Sequence, residues 1–246
     1  MPTIYLSPST QEFNPYSGGG NEEYYMNLIA DSMEPYLAAS GIQFVRNTPE
    51  MTAASSIAAS NSGVYDLHLA LHSNATASGN GSTRGSEVYY FPSSIEGKRF
   101  ADILAENLQM IYPLPDRVRT VPTTSLGEVA RVRAPGVLVE IAYHDNPEDA
   151  EWIRSNLNVI ARTLAQGVAQ FFGVPFVQPG ITQTATVRTA GGRLNLRSSP
   201  SLNGTIIGAI PNGTTVSVTG REGNWYAVIY NGQNGYVSGD YLVING

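Results

Sequence analysis

Val137-Leu-Val-Glu-Ile-Ala-Tyr-His-Asp-Asn-Pro147 is the stretch on which the fold turns. Val137 to Ala142 is a short apolar run closed by Asn146-Pro147, and it reads as a strand buried on both faces. Glu140 interrupts that run. A buried carboxylate without a partner is costly, so the residue needs a counter-charge or a purpose. The counter-charge would be an arginine such as Arg131 or Arg133. The purpose would be to take a proton from an attacking water, which makes Glu140 the candidate catalytic base.

Working outward, Ile4–Leu6, Gln43–Arg46, Asp66–His72 and Glu87–Phe91 read as further strands. Between them lie helical patterns. Asn21 caps a helix to about Ser40 with the apolar stripe Tyr25, Leu28, Ile29, Met33 and Leu37. Gly41 stops it, and Pro35 predicts a kink or an early end. Residues 51–61, 95–111 and 147–172 read as helices too. Strands alternating with helices predict an α/β fold, an open and mostly parallel sheet flanked by helices.

After Gly173 the pattern changes. Residues 174–183 contain two prolines and a glycine and read as a linker. From about Ala185, short β-branched runs are separated by Asn-Gly pairs at 203–204, 212–213, 231–232 and 234–235. Asn-Gly between apolar runs is a strong hairpin signal, so a small all-β barrel is expected. The expected organisation is 1–173, a linker over 174–183, and 184–246.

Bulk properties narrow the function. The chain has 246 residues, a net charge of −6 and no cysteine. The acidic balance argues against a nucleic-acid partner, which calls for a basic face. The lack of cysteine removes disulfides, thiol catalysis and Cys-based zinc sites. Met1-Pro-Thr-Ile-Tyr-Leu6 shows neither a basic nor an apolar leader segment, so no signal peptide is expected. No apolar run is long enough to span a membrane. The expectation is a chain held in the cytoplasm until it is released or exported by a non-standard route.

The three histidines are His68, His72 and His144. His72 ends a strand in Asp66-Leu-His-Leu-Ala-Leu-His-Ser-Asn74. Ligands of open α/β sheets collect beyond the carboxyl ends of strands, so His72 is placed to hold a metal. Glu23 lies in the first turn of the Asn21-capped helix, where an acidic residue also serves the helix dipole.

Together, Glu23-Tyr-Tyr-Met-Asn27, Asp66 to Asn74 and Val137 to Pro147 resemble the amidase-3 type of zinc-dependent N-acetylmuramoyl-L-alanine amidase over roughly residues 2–173. The resemblance implies zinc (Zn2+) held by Glu23 and His72, with Glu140 as catalytic glutamate. It implies peptidoglycan as substrate, cut between N-acetylmuramic acid and L-alanine of the stem peptide. The chain departs from the family in its first loop, Ser7-Pro-Ser-Thr-Gln-Glu12, where Thr10 stands at the position of a ligand histidine. A catalytic zinc usually takes three protein ligands. His144 is taken as the third, with Glu12 and, less favourably, Gln11 as alternatives. His68 shares a strand face with His72, but their Cα atoms are about 13 Å apart in an extended strand, which suits a buried supporting role better. The missing loop histidine also opens a second reading: a catalytically inactive amidase fold that only binds peptidoglycan.

Leu194-Asn-Leu-Arg-Ser-Ser-Pro200, Asn224-Trp-Tyr226 and Gly235-Tyr-Val-Ser238 resemble a bacterial SH3 domain. That resemblance implies an SH3-like barrel that binds cell-wall peptide, with Tyr236 and Tyr241 as contact aromatics and Trp225 as a further candidate that also suits the core.

Overall fold

The computed structural model describes residues 1–179 and 183–245. The chain divides into two compact units: Met1–Glu34 with Ile42–Val168, and Pro35–Gly41 with Ala169–Gly246.

Six strands form the sheet of the first unit: β1 (Thr3–Pro8), β2 (Gln43–Arg46), β3 (Leu67–Asn74), β4 (Ser86–Tyr90), β5 (Val118–Pro122) and β6 (Gly136–Tyr143). Their order is β2-β1-β3-β6-β4-β5. All neighbours are parallel except β4 and β6, which are antiparallel. The sheet is therefore mixed but mostly parallel, as expected. Its central strands β3 and β6 are buried almost throughout, which explains their near-continuous apolar sequences.

The helices are α1 (Glu22–Ala39), α2 (Ala53–Ser62), α3 (Ile95–Gln109), α4 (Gly127–Ala130), α5 (Pro147–Ser155) and α6 (Leu157–Phe172). Asn21 caps α1, its Oδ1 accepting from Tyr24 N at 2.8 Å. Pro35 stays inside α1 without ending it. Gly41 follows the helix with φ +74°, a conformation that suits glycine. The expected helix over 147–172 is two helices, α5 and α6, broken at Asn156. Asn146 caps α5 by accepting from Glu148 N and Asp149 N, with Pro147 at its first position.

Strand β5 and helix α4 were not expected. Each is short, and α4 has four residues, too few to show a period. Helix α4 lies directly on the start of β6, because Gly136 presents no side chain there. A Cβ at Gly136 would stand 2.8 Å from the Glu128 carbonyl oxygen and 2.6 Å from Val132 Cγ2.

In the second unit, β7 (Gln183–Val187), β8 (Arg193–Arg197), β9 (Ile206–Pro211), β10 (Thr215–Glu222), β11 (Trp225–Tyr230), β12 (Gln233–Ser238) and β13 (Leu242–Ile244) pair antiparallel in the order β13-β7-β10-β11-β12-β8-β9. Val187, Leu196, Ile210, Val216, Val228 and Val237 are among its core residues. Asn231-Gly232 makes the β11–β12 turn with positive φ at both residues (49° and 76°), the geometry for which Asn-Gly is suited. Asn234-Gly235 instead lies inside β12. Within the expected linker, residues 174–179 carry no helix or strand, and Phe176 and Val177 are buried; residues 180–182 of it lie outside the described residues.

Gly136→Ala must push α4 away from β6. It is expected to lower stability by about 1–3 kcal/mol in urea unfolding.

Candidate active site

Sheet register builds the site. His72 on β3 is opposite Glu140 on β6, Glu140 is opposite Glu87 on β4, and Glu87 is opposite Arg119 on β5. Residues directly opposite each other project from one face, so these four side chains form a row across the sheet. Glu87 is satisfied within the row: Arg119 Nε donates to its Oε1 at 2.9 Å, while Tyr89 Oη (2.5 Å) and Asn74 Nδ2 (3.1 Å) donate to its Oε2.

His72 is gripped on both ring nitrogens. Nδ1 lies 2.9 Å from Glu22 Oε1, and Nε2 lies 3.0 Å from Glu128 Oε2. Burial opposes charge on the imidazole, but the hydrogen bonds to Glu128 and Glu22 outweigh it and raise its pKa well above the ordinary value. The carboxylates respond in the opposite sense. Burial pushes Glu128 up, yet its contacts with His68 and His72 bring it down to about 2. Glu22 is likewise lowered against its burial by His72 and by Asn14, whose Nδ2 donates at 2.6 Å.

Glu140 is the exception. Its Oε2 is buried with no hydrogen-bond partner, and burial raises its pKa to about 7. Neither Arg131 nor Arg133 neutralises it: neither bonds its unpartnered Oε2, and Arg133 Nη1 donates to the carbonyl of Asn61. The hydroxyl of Tyr16 is also buried without a partner, and burial raises its pKa; Glu22 and Glu140 add to the shift.

The expected ligands do not assemble as a set. The Glu23 side chain is turned along α1 toward Asn27, whose Nδ2 donates to its Oε1 at 3.4 Å. Its neighbour Glu22 reaches His72 instead, because one residue along a helix rotates the side chain by about 100°. His144 Nδ1 is held by the Ser73 carbonyl at 2.8 Å, and its ring stacks on Tyr16. Glu12 is exposed. Among the described residues, no three His, Cys, Asp or Glu side chains form a ready metal site. His68 is fully buried, its Nδ1 2.9 Å from Ser60 Oγ and its ring stacked on Tyr5.

A different donor set surrounds His72. Gln11 Nε2 lies 3.3 Å from the same Nδ1 that faces Glu22. One ring nitrogen cannot both donate to a carboxylate and accept from an amide. Rotating the Gln11 amide by a half-turn presents its oxygen at that point, and the two orientations are sterically alike. An imidazole nitrogen, a carboxylate and an amide oxygen then converge one strand away from Glu140, whose Oε2 is unpartnered. That chemistry fits a divalent cation of the zinc type. Gln11 lies next to Thr10, the residue that stands at the family's histidine position. Glu128 carried no sequence signal, since α4 has no period to mark which side chain points inward.

In the second unit, Trp225 and Tyr241 line a groove of about 380 Å³ with Arg193, Arg197, Asn195 and Leu202. Tyr241 is 46 % exposed. Tyr236 is not at the surface: it is buried, and its hydroxyl accepts from Phe176 N at 2.7 Å. Placing it in the wall-contact set is therefore corrected. The sequence showed an aromatic but not which face of β12 carries it.

Comparison with known proteins gives two family matches. A model described as N-acetylmuramoyl-L-alanine amidase matches residues 10–170, and one described as bacterial SH3 domain matches 192–243. Among solved structures, the amidase AmiC2 of Nostoc punctiforme is similar with TM-score 0.61 and 19 % identity, covering 70 % of this chain and 97 % of that one. The catalytic domain of the CD27L endolysin targeting Clostridia difficile is similar with TM-score 0.57 and 21 % identity, covering 69 % and 98 %. These likenesses concern the fold. Bacteriocin BCN5 of Clostridium perfringens is 23 % identical over 124 residues, 48 % of this chain, and the match spans only 14 % of the bacteriocin's length.

The state of Glu140 has a measurable consequence. Its folded pKa of about 7 exceeds the ordinary 4.5, so the folded chain retains a proton that the unfolded chain releases. The Glu140 contribution to stability should fall as pH rises from 4.5 to about 7 and then level off. Glu140→Gln removes this dependence. Relative to wild type, the metal-stripped variant should gain on the order of 3 kcal/mol between those limits, read by urea unfolding across pH.

Proposed function

Because the chain belongs to the N-acetylmuramoyl-L-alanine amidase family, we propose that it hydrolyses the amide between N-acetylmuramic acid and L-alanine of peptidoglycan at the bacterial cell wall, with zinc as cofactor. The observation that carries the reading is Glu140: a buried carboxylate oxygen without a partner, one strand away from His72. A structural carboxylate would be paired, as Glu87 is by Arg119. A base needs a free oxygen and a pKa near the working pH, and burial gives Glu140 both.

In this reading Gln11, Glu22 and His72 hold the metal. Zinc bound there supplies Lewis acidity toward the amide carbonyl and the attacking water. Glu140 accepts the proton of that water and delivers it to the leaving nitrogen of L-alanine. Glu22 is itself oriented by Asn14, whose Nδ2 donates to its Oε2 at 2.6 Å. The C-terminal module holds the wall through the groove of Trp225 and Tyr241. Likeness to an endolysin catalytic domain and to a bacteriocin is in keeping with a wall-lytic role.

Purified walls incubated with zinc-loaded protein should release free N-terminal alanine. Glu140→Gln should slow that release about 10²–10⁴-fold with wall binding intact. Wall binding by the zinc-loaded wild type without any release would favour the inactive binding protein. In wall co-sedimentation, Tyr241→Ala should weaken binding about tenfold, or ~1.4 kcal/mol. Tyr236→Phe should leave affinity unchanged and lower the melting temperature, because it loses the bond to Phe176.

A further inference from the structure

Glu128 was not marked by the sequence, and the reaction as described gives it no step. Yet each of its oxygens is used. Oε2 lies 3.0 Å from His72 Nε2. Oε1 accepts from Ser7 Oγ at 2.5 Å and stands 3.4 Å from His68 Nε2. The carboxylate therefore fills the space between two histidines that lie four residues apart on one face of β3. Three separate elements converge on it: β1 through Ser7, β3 through both histidines, and α4 through its own backbone. Gly136 allows that backbone to approach the sheet, since any Cβ there would strike the Glu128 carbonyl oxygen.

We propose that Glu128 is a positioning residue for His72: its carboxylate commits Nε2–H and thereby turns Nδ1 toward Gln11 and Glu22. An imidazole has two nitrogens, and which one can serve as donor is set by the bond the other makes. A carboxylate on Nε2 fixes the ring's rotation and tautomer and makes Nδ1 a stronger electron-pair donor. Ser7 fixes the carboxylate in turn by a hydrogen bond, with His68 Nε2 close by, so the ring cannot swing without breaking buried contacts. A buried ion pair can also exist only to specify a packing arrangement. That alternative requires no particular state of Nδ1, so the two roles separate experimentally. The inference rests on the proposed use of Nδ1 toward zinc.

Glu128→Gln keeps the shape and an acceptor oxygen but removes the charge. Two readouts on the full chain decide. Zinc affinity is measured by competition with a chromophoric chelator, and the His72 ring Nε2–H is followed by ¹H–¹⁵N NMR with and without zinc. The wild type should show a downfield, carboxylate-bonded Nε2–H in both states. Glu128→Gln should move that resonance upfield and weaken zinc binding about 10- to 100-fold while unfolding remains cooperative. Either readout left unchanged, with only the melting temperature lowered, overturns the proposal. Should Glu128→Gln fail to fold, Ser7→Ala decides by the same readouts. It removes one donor to Glu128 without touching His72, and a smaller shift in the same direction is expected; no shift overturns the proposal. A wild type that binds no zinc refutes the metal assignment instead, and the His72 resonance alone then decides the role of Glu128.

Discussion

Strand β6 lies between β3 and β4 in a register that sets His72, Glu140 and Glu87 side by side, and the electrostatics of the site follow from that pairing. Three strands place three ionisable groups on one face, and Glu22 and Glu128 close in from α1 and α4. The cations available to them are few. His72 offers one N–H to Glu22 and one to Glu128, and Arg119 is taken by Glu87. Glu140 is left with none. Its raised pKa is therefore first a consequence of burial, to which the neighbouring carboxylates Glu22, Glu87 and Glu128 add against the opposing pull of His72. Such an arrangement either keeps a proton or draws in a further cation.

Most of the fold was legible because its central strands are long enough to declare themselves. Val137–Ala142 and Leu67–His72 are largely apolar runs in which Glu140 and His72 stand out, so the same stretches marked both the strands and the site. The short elements β5 and α4 were not legible, and Glu128 lies in α4. At α1 the distinction is finer. Glu22 and Glu23 are adjacent acidic residues in a first turn; the family resemblance points to Glu23, while the structure sets Glu22 against His72. The spacing from Glu23 to Asn27 describes a real contact, since Asn27 does bond Glu23, but it is a contact within the helix and not at the site.

The second unit shows the same limit from the other side. Asn-Gly at 231–232 turns a hairpin because both residues adopt positive φ. The same dipeptide at 234–235 continues a strand, where Gly235 lies against Leu196: a Cβ there would meet Leu196 at 2.5 Å. One pair of residues thus answers two different demands, backbone freedom in the turn and close approach in the sheet. Sequence alone reports the dipeptide and not which demand it meets. Tyr236 is the neighbouring instance, since the alternation of β12 turns its ring inward to the Phe176 backbone.

The substitution at Thr10 acquires a physical sense when Gln11 and Glu128 are considered together. In the proposed zinc site an amide is neutral, as an imidazole is, so Gln11 in place of a histidine would leave the charge of the donor set unchanged while giving up a nitrogen donor. The remaining nitrogen, His72 Nδ1, then carries more of the burden. A buried carboxylate on the far side of that ring works in the compensating direction, because it increases the electron density available at Nδ1. Ser7, at the start of the same loop, donates to that carboxylate. The loop that lacks the histidine is thus tied through Ser7 to the carboxylate proposed to position His72.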